Sequence, residues 1–326
     1  MIVARKTPPV TTSENALKNL IIYQVAIVLM VVLSLFIDMT GGPLQLLYGF
    51  LKVLFAVSVS TFIVYLRHRF IVKQPLQYEA FINPMTQTLL LVLLLPTETS
   101  LIIVFLGIII IQFFNLLFLV FAKRRMFNPV LMSFLILQLF FRESLPATDD
   151  FFDVMHIQHL TLNGINWATL ISPRGIALLF TAFLFIYLSM SRVIQIKTVL
   201  FFIVHLFIFV VLFFGYYDLS FLQMFSKVFF GTTLIAIIFL VSEPQSTPET
   251  QELTLLYAFL AAVFTAWLRV AYQLIEASLY ALVFVQFATW ILEQFQHRST
   301  PRRRKIMWGL IGITWGIIAL FRFIRT

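Results

Sequence analysis

Leu89-Leu90-Leu91-Val92-Leu93-Leu94-Leu95 is an unbroken apolar run, and Pro96-Thr97-Glu98-Thr99-Ser100 follows it directly. The pattern returns at residues 234–241, an apolar run that ends in Ser242-Glu243-Pro244-Gln245-Ser246-Thr247-Pro248. Both runs are much shorter than the roughly 20 residues that a helix needs to cross a bilayer. Short apolar segments interrupted by proline, in corresponding positions of two halves, are typical of broken helices near a site at the membrane midplane. We call residues 96–100 the first break and residues 242–248 the second break.

The composition indicates a membrane protein. The chain has 326 residues, of which 61% are hydrophobic and 11% are charged, and a water-soluble core of this size does not require so much apolar side chain. The absence of cysteine excludes disulfides, thiolate metal sites and cysteine-ligated iron-sulfur clusters. We assign the net charge of +9 to loops that set the membrane topology, and we expect no nucleic-acid partner.

The apolar segments predict an all-α polytopic membrane protein with about ten to eleven helices, near residues 18–37, 45–66, 83–96, 100–122, 128–142, 174–191, 198–216, 220–241, 252–272, 275–294 and 306–322. They divide the chain into five parts. These are a cytoplasmic N-terminal segment (1–17), a first five-helix repeat (18–142), an outer loop (143–173), a second five-helix repeat (174–294), and a basic loop with an extra helix (295–326).

The basic side chains predict the topology. If the N terminus is cytoplasmic, the clusters around Arg67, Arg124, Arg192 and Arg302 all lie on the cytoplasmic side, as the positive-inside rule requires. This places the chain in the cell inner membrane as a multi-pass protein. The run Pro301-Arg302-Arg303-Arg304-Lys305 is also suited to anionic lipid headgroups, so the bilayer itself is an expected partner.

An odd number of helices in each repeat gives the two halves opposite orientations. The first break then lies towards the outside and the second break towards the inside, with each broken helix running from its own side. The alternative is that the two halves share only a leucine-rich composition.

Asn83-Pro84 and Asn128-Pro129 each stand just before an apolar run. Proline in the first turn of a helix loses no hydrogen bond, and the asparagine before it caps the free amides. Plain helix capping explains either pair. The alternative is that a helix N terminus, with its partial positive charge, meets a polar ligand inside the membrane.

Several ionisable residues have both a functional and an ordinary interpretation. Glu98 and Glu243 are the acids closest to the apolar runs. An ionisable side chain deep in the membrane is a candidate functional residue, and the alternative is that each carboxylate lies at the level of the lipid headgroups. His205 and the pair His156 and His159 are too few for a metal site, which needs three or four ligands, so we expect none. No phosphate-binding glycine loop or hydrolase motif is present.

These motifs, taken in order, resemble the RnfD-type membrane subunit of the Rnf electron-transport complex and its relative, the NqrB-type membrane subunit of the sodium-pumping NADH:quinone reductase. In that family the third helix ends in a Leu-Pro-Pro-Thr-like sequence, and the first break stands at the corresponding place here. The fifth helix opens with Phe-Asn-Pro-Ala, matched by Phe127-Asn128-Pro129-Val130. The eighth ends in Thr-Asp-Pro-x-Ser-x-Pro, matched loosely by the second break. The resemblance spans most of residues 18–295.

The resemblance implies a covalent FMN. The family links FMN through a phosphoester to a threonine in an Asp-x-x-Ser-Gly-Ala-Thr motif of the outer loop, and the corresponding residue here is Thr169, preceded by Ala168. Asn163, Asn166 and Trp167 differ from the family's acidic residue, serine and glycine. If FMN is not attached, Thr169 is an ordinary loop residue.

The resemblance also implies a function. The chain is expected to be a membrane subunit of a flavin-dependent electron-transfer complex. Its expected partners are the other membrane and peripheral subunits of that complex, and its expected activity is redox-driven ion translocation. A flavin bound without a covalent link, FMN or riboflavin, would lie near the two breaks and their neighbours Glu98, Asn128, Pro129, Glu243 and Ser246. The alternatives are a channel or transporter for a small solute with the same inverted repeat, and a non-catalytic assembly subunit.

Overall fold

The fold is known from a computed structural model of the chain. The structure describes residues 10–38, 42–72, 79–96, 98–121, 127–141, 145, 173–191, 193–214, 235–241, 243, 246–248, 250–272, 274 and 276–296. The predictions about Thr169, the histidines of the outer loop and the C-terminal helix fall outside these residues.

The described residues form nine α-helices and two short π-helical segments. In the first half, α1 to α5 are Val10–Asp38, Pro43–Arg67, Glu79–Leu94, Leu101–Phe121 and Pro129–Phe140, and π1 (His68–Val72) continues α2. In the second half, α6 to α9 are Pro173–Met190, Ile196–Phe214, Gln251–Tyr272 and Ala277–Gln296, and π2 (Ala236–Leu240) precedes the second break.

Four of the described helical segments are long and apolar enough to cross a membrane, namely Leu17–Phe36, Pro43–Phe70, Leu101–Phe118 and Gln251–Arg269. Many large apolar side chains are exposed on the outer faces of the helices, among them Val32, Phe62, Phe105, Phe183 and Met190. Such a surface is suited to lipid tails. The prediction of an all-α polytopic membrane protein is therefore confirmed.

The two apolar runs of the opening motif lie in the centre of the protein. Every residue of the run 89–95 is buried, and so is every residue of 235–241. Both belong to one hydrophobic core. The helix before the first break, α3, has 16 residues, a length of about 24 Å, which is less than the roughly 30 Å of a hydrocarbon core. These runs therefore pack against protein, and α3 is too short to span a bilayer alone.

One helix start differs from the prediction. The helix α3 begins at Glu79, and Pro84 lies inside it, so the expectation that Asn83 caps this helix is wrong. Pro84 is the sixth residue of α3, and its missing N–H removes only one hydrogen bond near the helix start. The matching prediction for Asn128 is confirmed, because Asn128 is the N-cap of α5 and Pro129 is its first residue.

The helices of each half pack on one another, and two pairs of helices join the halves. In the first half α3 contacts α1, α2, α4 and α5, and in the second half α8 contacts both α7 and α9. Across the halves α1 contacts α6, and α5 contacts α9.

Gly107 of α4 lies where α3, α4 and α5 pack closely together. A Cβ there would lie 2.7 Å from Leu91 Cδ2 of α3 and 2.9 Å from Leu137 Cδ1 of α5. Ser133 Oγ of α5 also donates a hydrogen bond to the Gly107 carbonyl (2.8 Å). The three helices α3, α4 and α5 are thereby held together next to both breaks.

Candidate functional site

A buried polar cluster joins the two halves at the second break. Glu243 is only 7% exposed, and its Oε2 accepts hydrogen bonds from Asn128 Nδ2 (2.6 Å) and Ser246 Oγ (2.7 Å). Asn128 and Glu243 are 115 positions apart in the chain. The carboxylate therefore connects the start of α5 to the second break.

The start of α5 is arranged to favour a negative charge. Asn128 Oδ1 accepts from the backbone N–H of Val130 (2.7 Å), which satisfies one of the free amides at the helix start. The side-chain amide of the same residue points to Glu243. Because the N terminus of a helix carries a partial positive charge, α5 and its cap together stabilise the ionised form of this carboxylate.

Gln286 of α9 completes the cluster. Its Oε1 accepts from the backbone N–H of Asn128 (2.9 Å), and its Nε2 donates to Ser246 Oγ (3.2 Å) and to Tyr257 Oη of α8 (3.5 Å). Gln286 and Tyr257 are fully or almost fully buried. We call Asn128, Glu243, Ser246, Tyr257 and Gln286 the second-break cluster.

The helix α1 also holds the end of π2. Tyr23 donates a hydrogen bond from its hydroxyl to the carbonyl of Phe239, and the two rings meet edge to face with centroids 5.6 Å apart. A polar contact from the first half thus fixes the backbone just before the second break.

The first break is built around a cation instead. Lys52 of α2 is 4% exposed, and its Nζ donates to the carbonyls of Leu95 (3.3 Å) and Pro96 (2.9 Å) at the end of α3. Thr99 Oγ1 donates to the same Pro96 carbonyl (2.7 Å), and Tyr48 Oη donates to the carbonyl of Thr99 (3.0 Å). Side chains of α2 therefore stabilise the end of the broken helix.

The predicted site residues separate into three groups. Asn128, Glu243 and Ser246 are in direct contact, with Pro129 buried as the first residue of α5. Glu98 lies in the turn of the first break with an exposed side chain, and it is not a member of the second-break cluster. Thr169 is outside the described residues.

Sequence reasoning missed Lys52, Tyr257 and Gln286. The sequence does carry a signal for Lys52, because a lysine stands in the middle of the apolar segment 45–66. Tyr257 and Gln286 give no such signal, since single amides and phenols are common in membrane helices and only the tertiary structure brings them to Asn128.

His205 is a packed residue of α7. It bonds through Nδ1 to the Phe201 carbonyl (2.7 Å), and its ring lies edge to face against Phe259. Among the described residues no group of three or more His, Cys, Asp or Glu is placed to hold a metal ion.

The family model described as NQR2, RnfD, RnfE family matches residues 4–301. The chain belongs to this family. The NQR2, RnfD, RnfE match includes both breaks and the outer loop, so the resemblance found in the ordered motifs is confirmed. Family membership implies a membrane subunit of a multi-subunit Rnf/Nqr-type electron-transport complex. A comparison with curated proteins finds no significant match.

Proposed function

We propose that the chain is the flavin-dependent membrane subunit of an Rnf-like or NADH:quinone reductase-like complex, and that it couples electron transfer to ion movement. The family match over residues 4–301 carries the proposal. When bound, the flavin supplies the redox chemistry. The protein holds the flavin in position, sets the electrostatic field around it and keeps water away from it.

The proposal assigns two places to flavin. FMN is linked covalently to Thr169, and a second flavin, FMN or riboflavin, contacts the second-break cluster without a covalent bond. The buried donors and acceptors of Asn128, Ser246 and Gln286 support the second place. These side chains would fix the ring's orientation, and Glu243 would hold negative charge beside it. The exposed Glu98 is a less favoured contact.

The second-break cluster has chemistry that suits a flavin ring. The ring edge of a flavin alternates N–H and carbonyl groups, and Asn128, Glu243, Ser246 and Gln286 offer both donors and acceptors. In the structure these groups bond to one another. The longest of these hydrogen bonds, from Gln286 to Tyr257 at 3.5 Å, is the one that a ligand would replace at the least cost.

The topology is part of the proposal. The protein lies in the inner (cytoplasmic) membrane with a cytoplasmic N terminus, supported by the distribution of basic side chains. Two inverted five-helix repeats are supported by the packing of α1 on α6 and of α5 on α9, because helices at equivalent positions meet in this way around a two-fold axis.

Covalent flavin is tested on protein produced together with its native neighbouring subunits and the attaching enzyme. We expect the denatured chain to keep flavin fluorescence and to show the mass shift of one FMN. Thr169→Ala should abolish both signals. Thr161→Ala, in the same outer loop, serves as the matched control and should keep them. The absence of flavin of any kind, covalent or free, would overturn the redox proposal.

A solute path is the second candidate, and the observation that favours it is the buried Glu243 between the two halves. A solute flux in liposomes that Glu243→Gln abolishes, in protein that contains no flavin, would support a transporter. Flavin bound to the purified protein would support electron transfer.

A further inference from the structure

Lys52 is an ammonium group in the interior of a membrane protein. It lies in the tenth position of α2, inside the span Pro43–Phe70, and it contacts at least the carbonyls of Leu95 and Pro96. A buried charge of this kind is costly unless its surroundings compensate it. The carbonyls at the end of α3 supply part of this compensation.

The end of a helix is a place that attracts cations. The last carbonyls of a helix have no partner within the helix, and they carry the negative end of its dipole. In transporters with broken helices, unwound carbonyls and the C-terminal ends of half-helices bind monovalent cations. The first break has this geometry: α3 ends at Leu94, and the carbonyls of Leu95 and Pro96 both accept from Lys52 Nζ, at 3.3 and 2.9 Å.

We propose that Lys52 is a tethered cation that occupies a monovalent-cation site at the first break. The first half therefore binds no dissociable cation at this position. The inference depends on the contacts of Lys52 and is independent of the proposed redox function, so its test needs no flavin and no electron transfer.

The test is a thermal unfolding experiment on purified protein in detergent. Wild type and Lys52→Ala are compared in choline, sodium and potassium chloride at one ionic strength. In choline we expect the melting temperature of Lys52→Ala to fall several degrees below that of wild type. Sodium or potassium should restore at least half of that difference with a saturable dependence on concentration, because the small ion takes the place of the ammonium group.

The control is Lys197→Ala, which removes an exposed lysine at the start of α7 and should follow wild type in all three salts. If Lys52→Ala is not recovered folded, Lys52→Met is measured instead, since it keeps the apolar stem and frees the position of the ammonium group. Equal melting temperatures of the variant in choline, sodium and potassium would overturn the proposal. A variant as stable as wild type in choline would also overturn it.

Discussion

Lys52 at the first break and Glu243 at the second break are both nearly buried, but they carry opposite charges and are stabilised by opposite ends of helices. The ammonium of Lys52 meets the carbonyls at the end of α3. The carboxylate of Glu243 meets the capped start of α5. Two breaks that look alike in sequence therefore create fields of opposite sign, because each is completed by a different partner helix.

The two breaks also differ in which helices contact them. The contacts of the first break come from α2 and lie within the first half. The contacts of the second break come from α5, α8 and α9, and so include both halves. We therefore expect the second break to respond to any movement of one half against the other, and the first break to remain a local structure.

The largest expected effect is at Glu243. Glu243→Ala leaves the amide of Asn128 and the hydroxyl of Ser246 without their acceptor, and should lower the free energy of unfolding by about 3 kcal/mol. Unfolding in mixed detergent micelles measures this loss. Glu98→Ala removes the exposed acid of the first break and should change stability by less than about 0.5 kcal/mol. Equal losses for the two variants would show that the two acids are equivalent.

The next largest effect is expected at Gly107. This residue of α4 packs against Leu91 of α3, the helix that precedes the first break, and against Leu137 of α5, the helix whose start contacts the second break. Gly107→Ala places a methyl group 2.7 Å from Leu91 Cδ2, and should cost about 2 kcal/mol of stability through overpacking. The double variant with Leu91→Ala relieves the closer of the two contacts and keeps the one with Leu137 Cδ1, so the two losses should be less than additive. Additive losses would mean that α3 and α4 do not meet at this glycine.

The smallest effect is at Thr88, whose Oγ1 donates to Ser60 Oγ (2.9 Å) between α3 and α2. Hydrogen bonds between membrane helices contribute about 0.6 kcal/mol on average, so Thr88→Val should lose about that amount. Adding Ser60→Ala should cost little more. Ser58→Ala, on the exposed side of α2, is the control. A loss as large as that of Glu243→Ala would contradict the small contribution expected of this bond.

The sequence predicts the class of fold. It also singles out Asn128, Glu243 and Ser246, which the structure brings into contact, because proline, a cap and a carboxylate next to short apolar runs have local physical meaning. It does not predict that Gln286 holds Asn128, since their contact joins positions 158 apart in the chain. It places the start of α3 at Asn83, since Asn-Pro is a frequent cap, whereas the helix continues back to Glu79.

The two acids of the breaks show the same limit of prediction from sequence. Glu98 and Glu243 stand in similar sequence surroundings, and the sequence makes both equally good candidates. The structure separates them, because Asn128 of α5 donates to the buried Glu243, whereas Glu98 is exposed. Partner helices that are distant in sequence decide which carboxylate is buried.

The most direct test of the proposed flavin site is the free flavin released by solvent extraction from the purified native complex, measured for wild type, Asn128→Ala and Asn83→Ala. The two substitutions remove the asparagine of an Asn-Pro pair, but only Asn128 belongs to the second-break cluster. We predict that wild type and Asn83→Ala release flavin in proportion to the protein, and that Asn128→Ala releases little. Equal release from the two variants, or none from wild type, would contradict the proposed site.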